Sequence, residues 1–345
     1  MKAKKLNGNT VLLIITIALF FVMYAVGCVI YSNKGFTHLQ TFLNILINNA
    51  GLLCITCGMT CVMLTGGIDI SVGSLVAMDC MILAVGMERW NMNAVLLCIL
   101  VLAIGIVFGV VQGFCVGYLN IQPFIVTMAG MFFARGMTAV ISTEQISISS
   151  NAFFVKLANT KISLPFGSYT NNKGVVQVPF IRVSVIVALL VLIAVFFMLR
   201  YTKFGRSLYA VGGSEQSATM MGLDVKKTKL KAYVLSSFLC SIGGIIFAAR
   251  MNSGQPAANV NLEFDAITAV ILGGVSFVGG VGNMGGTILG IILIQSFNTG
   301  LTMVNVPSFW QYVAKGGLLL FALTTDYIRK QKREKDLLAA SMKNL

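Results

Sequence analysis

Leu64 to Ser74 reads LTGGIDISVGS, a Gly-Gly pair, a carboxylate and two serines set where one apolar run meets the next. Residues 45–64 lead into it and 72–85 lead out, both strongly apolar. Lipid offers backbone N–H and C=O groups no partner, so a helix that breaks at membrane depth must face protein or a watery cavity. Broken helices of this kind mark where a solute crosses. The stretch therefore reads as part of a passage rather than of a passive anchor.

The rest of the chain supplies the membrane. Of its 345 residues, 57% are hydrophobic and 10% charged, and the mean hydropathy is +0.87. A soluble domain carries roughly 25% charged residues. One buried core cannot hold this apolar excess, so lipid must solvate it. A spanning helix needs about 20 apolar residues. That measure predicts one all-α, polytopic membrane domain over residues 1–345 with ten spans, some of them broken. They fall near 11–31, 43–65, 70–87, 94–118, 123–142, 182–200, 231–250, 265–281, 285–304 and 309–328. Residues 1–31 resemble a signal peptide only in outline. The apolar run is too long and no A-x-A-like site follows, so it reads as a retained first span.

A net charge of +14 invites a nucleic-acid partner, but its distribution argues against one. Lys2, Lys4 and Lys5 precede the first span, and Arg200, Lys203, Arg206, Lys226, Lys227, Lys229 and Lys231 surround the loop after the sixth. Arg329, Lys330, Lys332, Arg333, Lys335 and Lys343 follow the last. With an even number of spans, all of them lie on one face. Basic loops stay in the cytoplasm, so both termini and the 201–230 loop are expected there. The polar stretch 143–181, with Asn151, Lys156, Asn159, Lys161, Asn171, Asn172 and Lys173, is then an external loop with at most one short helix.

The glycine-rich break at 66–74 has a counterpart in Gly273-Gly274, Gly279-Gly280, Gly282 and Gly285-Gly286. Interrupted segments in matching places point to two pseudo-repeated halves with the pathway between them. Gly105, Gly109, Gly113 and Gly117, four apart, line one helix face and let a neighbouring backbone come close. Arg135, Arg250, Asp79 and Lys315 are charges within or near spans, where charge is costly and usually faces protein. Arg250 reads as a snorkelling side chain. Asp79 stays open between a structural hydrogen bond and a pathway role. Cys54-Ile-Thr-Cys57 matches C-x-x-C, but in an apolar helix its thiols read as small packing groups.

From Gly205 to Lys229 the chain reads GRSLYAVGGSEQSATMMGLDVKKTK. Ser214 suits an N-cap, Glu215 the positive first turn and Gly222 the stop of one short helix. Its exposed face would show Glu215, Thr219 and Met220. Such a helix is either a docking knob for a soluble partner or a plain surface helix. Glu263 and Asp265 precede the eighth span, where Asp265 could cap it and an outer receptor could also dock.

Enzyme chemistry is nearly absent. His38 is the only histidine, so a catalytic base is scarce and zinc ligation is not expected. No G-x-x-x-x-G-K-[ST] loop occurs, so any ATP hydrolysis belongs to another subunit. Neither cofactor nor metal is expected.

LTGGIDISVGS at 64–74, NIQPFIVTMAGMFFARG at 120–136, GRSLYAVGGSEQSATMMG at 205–222 and EFDAITAVILGGVSFVGGVG at 263–282 resemble the membrane permeases of ABC sugar importers of the ribose/galactose/simple-sugar family. The motifs keep the family's order over nearly the whole chain. AGMFFARG at 129–136 and ISTEQISI at 141–148 are closest to its galactofuranose branch. Asp79, where such permeases usually carry a small or hydroxyl residue, and the stretch 151–178 depart from the pattern. The resemblance implies an inner-membrane permease that imports a simple sugar as an identical or mixed pair, with a cytoplasmic ATPase subunit and an extracytoplasmic sugar-binding protein. It implies a coupling helix within 205–222, with Gly205, Gly213, Ser214, Glu215, Thr219, Met220 and Gly222 facing the ATPase. The passage is expected at the dimer interface near Thr65, Gly66, Gly67, Asp69 and Ser71, with Asn48, Asn49, Gln295 and Asn298 as further candidates. The rivals are an ion-coupled secondary transporter that uses Asp69 or Asp79, and a scaffold without a solute path.

Overall fold

The computed structural model describes residues 21, 22, 25, 38–170, 176–303 and 305–343. The expected first span, apart from residues 21, 22 and 25, lies outside the described residues. So do Lys2, Lys4, Lys5, Asn171, Asn172 and Lys173. In chain order the helices are α1 (Leu39–Leu64), α2 (Val72–Glu88), α3 (Ala94–Gly117), α4 (Pro123–Ile141), α5 (Ala152–Asn159), α6 (Val183–Tyr201), α7 (Lys203–Gly213), α8 (Glu215–Met220), α9 (Val225–Met251), α10 (Leu262–Leu272), α11 (Met284–Met303) and α12 (Ser308–Lys343).

Six of them, α1, α3, α4, α6, α9 and α11, are long and apolar enough to cross a membrane. Burial sorts these six. The apolar window of α1 is 83% buried, against 17% in α4. The central helices α1 and α9 therefore form the core, and α3, α4 and α6 turn apolar faces outward. Hydrophobic all round is what a lipid-solvated helix requires.

The four-residue glycine spacing of α3 is used against α9. A β-carbon on Gly109 would lie 2.7 Å from the Val234 Cα, one on Gly113 2.8 Å from the Leu230 carbonyl oxygen, and one on Gly117 2.7 Å from the Lys226 carbonyl oxygen. The two antiparallel backbones touch along three turns, as small residues allow in lipid.

The expected eighth span, 265–281, is replaced by a shorter element. α10 has 11 residues, about 16 Å at 1.5 Å per residue, too short to cross. Gly274, Gly279 and Gly280 take φ of +89°, +94° and +72°, a region open to glycine at little cost. The chain turns through 273–283, and α11 packs back along α10, with Gly286 against Gly273 and Gly290 against Ala269. The 201–230 stretch is likewise more ordered than a loop with one short helix: α7, α8 and the first turns of α9 fill it.

Short strands accompany the helices at one end. β1 (Ile146–Ser147) pairs with β6 (Ser253–Gly254), β2 (Lys161–Ser163) with β5 (Phe180–Arg182), and β3 (Tyr169–Thr170) with β4 (Val176–Gln177), all antiparallel. Together with α5 they gather 143–170 and 176–181 into one cap, while 252–261 runs from it along α2, with Gly254 against Cys80 and Ala84 and Asn259 against Gly73. Glu88, ending α2, accepts the N–H groups of Ser149 at 2.9 Å and Ser150 at 3.0 Å. Arg135 donates to the carbonyls of Pro256 at 3.0 Å and Ala258 at 3.1 Å. Arg250 does more than snorkel, since its Nη1 donates to the Asn48 carbonyl at 2.7 Å and ties α9 to α1. Asp265 caps nothing through its side chain. It lies in the first turn of α10, whose N-cap is Asn261, and pairs with Lys315 of α12 at 2.8 Å.

Candidate functional site

Thr65 closes α1, Gly66 follows at φ +77°, and Ser71 opens α2. Between them, Asp69 is wholly buried. Its Oδ1 accepts the Ser71 N–H at 3.1 Å and the Ser71 hydroxyl at 2.6 Å, and its Oδ2 accepts the Ser236 hydroxyl of α9 at 3.1 Å. The Ser71 hydroxyl in turn accepts from Gln112 Nε2 of α3 at 2.9 Å. A buried carboxylate is tolerable when it is hydrogen-bonded in this way. The break is thus latched to two neighbouring helices. Tyr233 of α9 adds a third fixing point, donating its hydroxyl to the Ile68 carbonyl at 3.0 Å. Its oxygen would lie 2.8 Å from a β-carbon on Gly67, so only glycine fits there.

The second glycine-rich break meets the first. The freed carbonyl of Leu64 accepts the Gly280 N–H at 2.9 Å. A β-carbon on Gly279 would lie 2.5 Å from the Gly66 nitrogen, and one on Gly280 2.6 Å from the Gly213 Cα. One on Gly212 of α7 would overlap both the Leu64 carbonyl oxygen and the Gly280 nitrogen. Three backbones therefore touch at one junction: the break after α1, the turn after α10 and the end of α7. Tyr209 of α7 also donates to the Gly282 carbonyl at 3.2 Å. Asp326 of α12 accepts the Phe277 N–H at 2.9 Å and steadies the same turn.

Directly beyond the junction lies α8. Ser214 is its N-cap, accepting the Ser217 N–H at 3.2 Å, and Gly222 ends it at φ +78°. Glu215 pairs with Lys229 of α9 at 2.5 Å. Thr219, Met220 and Met221 are exposed, Met220 at 80%, while Ala218 is buried beneath them. Two exposed methionines form an adaptable apolar tip. Gly205 lies apart from this tip, in the first turn of α7, where its N–H meets the Thr202 hydroxyl at 3.0 Å. Asp224, just ahead of α9, accepts the Lys227 N–H at 3.0 Å. That bond and the Lys227 ammonium hold its carboxyl below the usual carboxylate range.

The other expected residues form a second layer. Thr60 and Thr287 meet across α1 and α11 with hydroxyls 3.2 Å apart. From there Asn49 and Asn298 are each 11 residues along antiparallel helices, so both lie about 16 Å from that contact. Asn298 Nδ2 reaches Gln295 Oε1 at 3.5 Å, while Asn298 Oδ1 is buried with no hydrogen-bond partner among the described residues. Asn48 is exposed and Asn49 half-buried. The expected residues thus divide into a buried latch at the break and amides further along α1 and α11, of which Gln295 and Asn298 meet. Asp79 joins neither: it is wholly buried on α2 against Gly244 of α9. Sequence reading missed Gln112, Tyr233, Ser236 and Gly212. Gln112 and the Ser236-Ser237 pair were visible only as polar residues in apolar helices, and Gly212 as half of a Gly-Gly pair.

Comparison with known proteins adds the family. Residues 41–323 match the family described as branched-chain amino acid transport system / permease component. The inner membrane ABC transporter permease protein YjfF of Escherichia coli is 34% identical over 309 residues, covering 90% of this chain and 89% of that protein. The ribose import permease protein RbsC of Escherichia coli is 35% identical over 296 residues, covering 85% and 88%. The xylose transport system permease protein XylH of Haemophilus influenzae is 30% identical over 382 residues, covering 96% and 99%. No solved structure matches.

Proposed function

This chain belongs to the family of branched-chain amino acid transport system permease components, and from that premise we propose that it is the permease subunit of an ATP-driven importer of a simple sugar. The names of its ribose and xylose relatives support the substrate class. It is not itself an ATPase. A cytoplasmic ATPase subunit hydrolyses the nucleotide, a sugar-binding protein delivers the substrate from outside, and a second permease, identical or related, completes the passage.

In this reading the chain crosses the membrane ten times in two pseudo-repeated halves, with both termini inside, and the eighth crossing is made by the 252–261 stretch followed by α10 rather than by one long helix. The 143–181 cap faces out and the 201–230 segment faces in. Thr65, Gly66, Gly67, Asp69 and Ser71 form the inner end of the passage. Asn48, Asn49, Gln295 and Asn298 offer amides to sugar hydroxyls nearer its middle. Ser214, Glu215, Thr219, Met220 and Gly222 present α8 to the ATPase, and Gly205 and Gly213 bracket α7 behind it.

The observation that carries this reading is the junction of Leu64, Gly280 and Gly212. ATP-driven movement of α8 is delivered through α7 to both breaks at once. Packed elements with two discrete arrangements transmit such motion. The three protein donors on Asp69 favour a latch over an ion carrier.

Proteoliposomes holding the permease, the ATPase and the sugar-binding protein test it. Sugar uptake should follow ATP and survive a protonophore, and uptake that collapses with the protonophore but persists without ATP would overturn the reading. Glu215→Lys sets two ammonium groups against each other where Glu215 now meets Lys229. It should cut uptake at least tenfold while hydrolysis continues. Wild-type uptake in that variant would remove α8 from the coupling.

A further inference from the structure

A cavity of about 360 Å³ opens at the end of the molecule that carries the cap. Its walls are apolar, with Ile47 of α1, Cys98 of α3, Phe154 of α5, Val187 of α6 and Ile246 of α9 among them. Its volume is within the roughly 300–1,000 Å³ of ordinary ligand sites. A more polar cleft of about 390 Å³, lined by Asn93 and Asn151, shares Ala94, Val95 and Phe153 with it. The flanking helices α3 and α6 are those that expose apolar faces along their length, so lipid reaches the cavity.

Two guanidinium groups line this apolar space, Arg182 at the end of β5 and Arg250 near the end of α9. They are close enough to act on one another electrostatically. Among the described residues neither forms an ion pair, and Arg182 Nε is buried without a hydrogen-bond partner. Residues 145–214 contain no Asp or Glu and Lys156 and Lys161 add to the basic side, while Glu88 at the same end is taken up by the N–H and hydroxyl groups of Ser149 and Ser150. In the proposed topology this end faces outward, away from the face where basic residues gather, and two cations without an ion-pair partner there attract an anion. Two adjacent cations beside an apolar slot match a phosphate joined to acyl chains.

We infer that this cavity is a binding site for an anionic phospholipid of the outer leaflet, its headgroup on Arg182 and Arg250 and an acyl chain between α3, α5, α6 and α9. The lipid would fill the gap under α5 and cancel the repulsion between the arginines. The site is separate from the passage and does not depend on which solute crosses.

Delipidated full-length protein is titrated with phosphatidylglycerol or phosphatidylcholine and the bound lipid counted by native mass spectrometry. One phosphatidylglycerol per chain should bind in preference to phosphatidylcholine, and inorganic phosphate at equal concentration should leave it in place. Each neutralised arginine should weaken phosphatidylglycerol binding about fivefold, so Arg182→Gln with Arg250→Gln removes the preference. Arg182→Gln alone keeps the Arg250 bond to Asn48 and serves if the double variant misfolds. Val187→Trp keeps both charges, fills the slot and should abolish binding of either lipid. Equal affinity for the two lipids, displacement by phosphate, or unchanged binding in Arg182→Gln or Val187→Trp would overturn the assignment.

Discussion

Asp69 shows how much one residue does at the break. It is wholly buried and receives one backbone N–H and two hydroxyl groups from two helices. Asn at this position has the same shape but turns an NH₂ group toward at least one of those donors. Leaving a buried donor unmatched costs about 1–3 kcal/mol. Asp69→Asn should therefore lower the midpoint of thermal unfolding in detergent and reduce uptake together. A stability equal to wild type would show that the latch contributes nothing. The carboxylate and its serine neighbour were legible in LTGGIDISVGS, and so was the break. Their partners Ser236 and Gln112 were not, because pairing across 167 and 41 positions leaves no local signature.

Among the elements, α3 and α9 form the tightest pair that sequence spacing announced. Only glycine fits at 109, 113 and 117 with backbone this close. Gly113→Val would push its side chain into the Leu230 backbone. Overpacking of this kind costs about 1–3 kcal/mol, so the variant should unfold at lower temperature than wild type, and an unchanged transition would mean that α3 and α9 stand further apart. The eighth span misled for a physical reason. Residues 265–281 are apolar whether helical or not, because 273–281 are buried or held by a turn rather than by helix. Composition reports burial, and only the positive φ of Gly274, Gly279 and Gly280 reveals the stop. The helices of the 201–230 segment were partly hidden by the opposite effect: α7 is amphipathic and short, and its glycines read as loop.

At the scale of the whole molecule, the cap strands and α5 gather at one end, and α7, α8 and the two breaks at the other. The proposed topology puts the basic 201–230 segment inside and the cap outside. Val176 and Met220 are both exposed, at 64% and 80%, and lie in the two ends. Val176→Cys should react with a membrane-impermeant maleimide on intact cells. Met220→Cys should react only once the membrane is opened. Labelling of both from one side would reject the two-sided arrangement. Together the breaks and α7 form one packed unit, through which the proposed coupling would act on the membrane helices.

Gly212→Ala measures that unit most directly, because its new methyl group enters the contact between α7, Leu64 and Gly280. ATP hydrolysis and sugar uptake are measured on the same reconstituted complex. Gly136→Ala, whose methyl group meets nothing within 4 Å, is the control. The junction predicts that Gly212→Ala keeps hydrolysis near the wild-type rate and loses at least tenfold in uptake, while Gly136→Ala retains both. Wild-type uptake per ATP in Gly212→Ala would contradict the proposal that force reaches the breaks through α7.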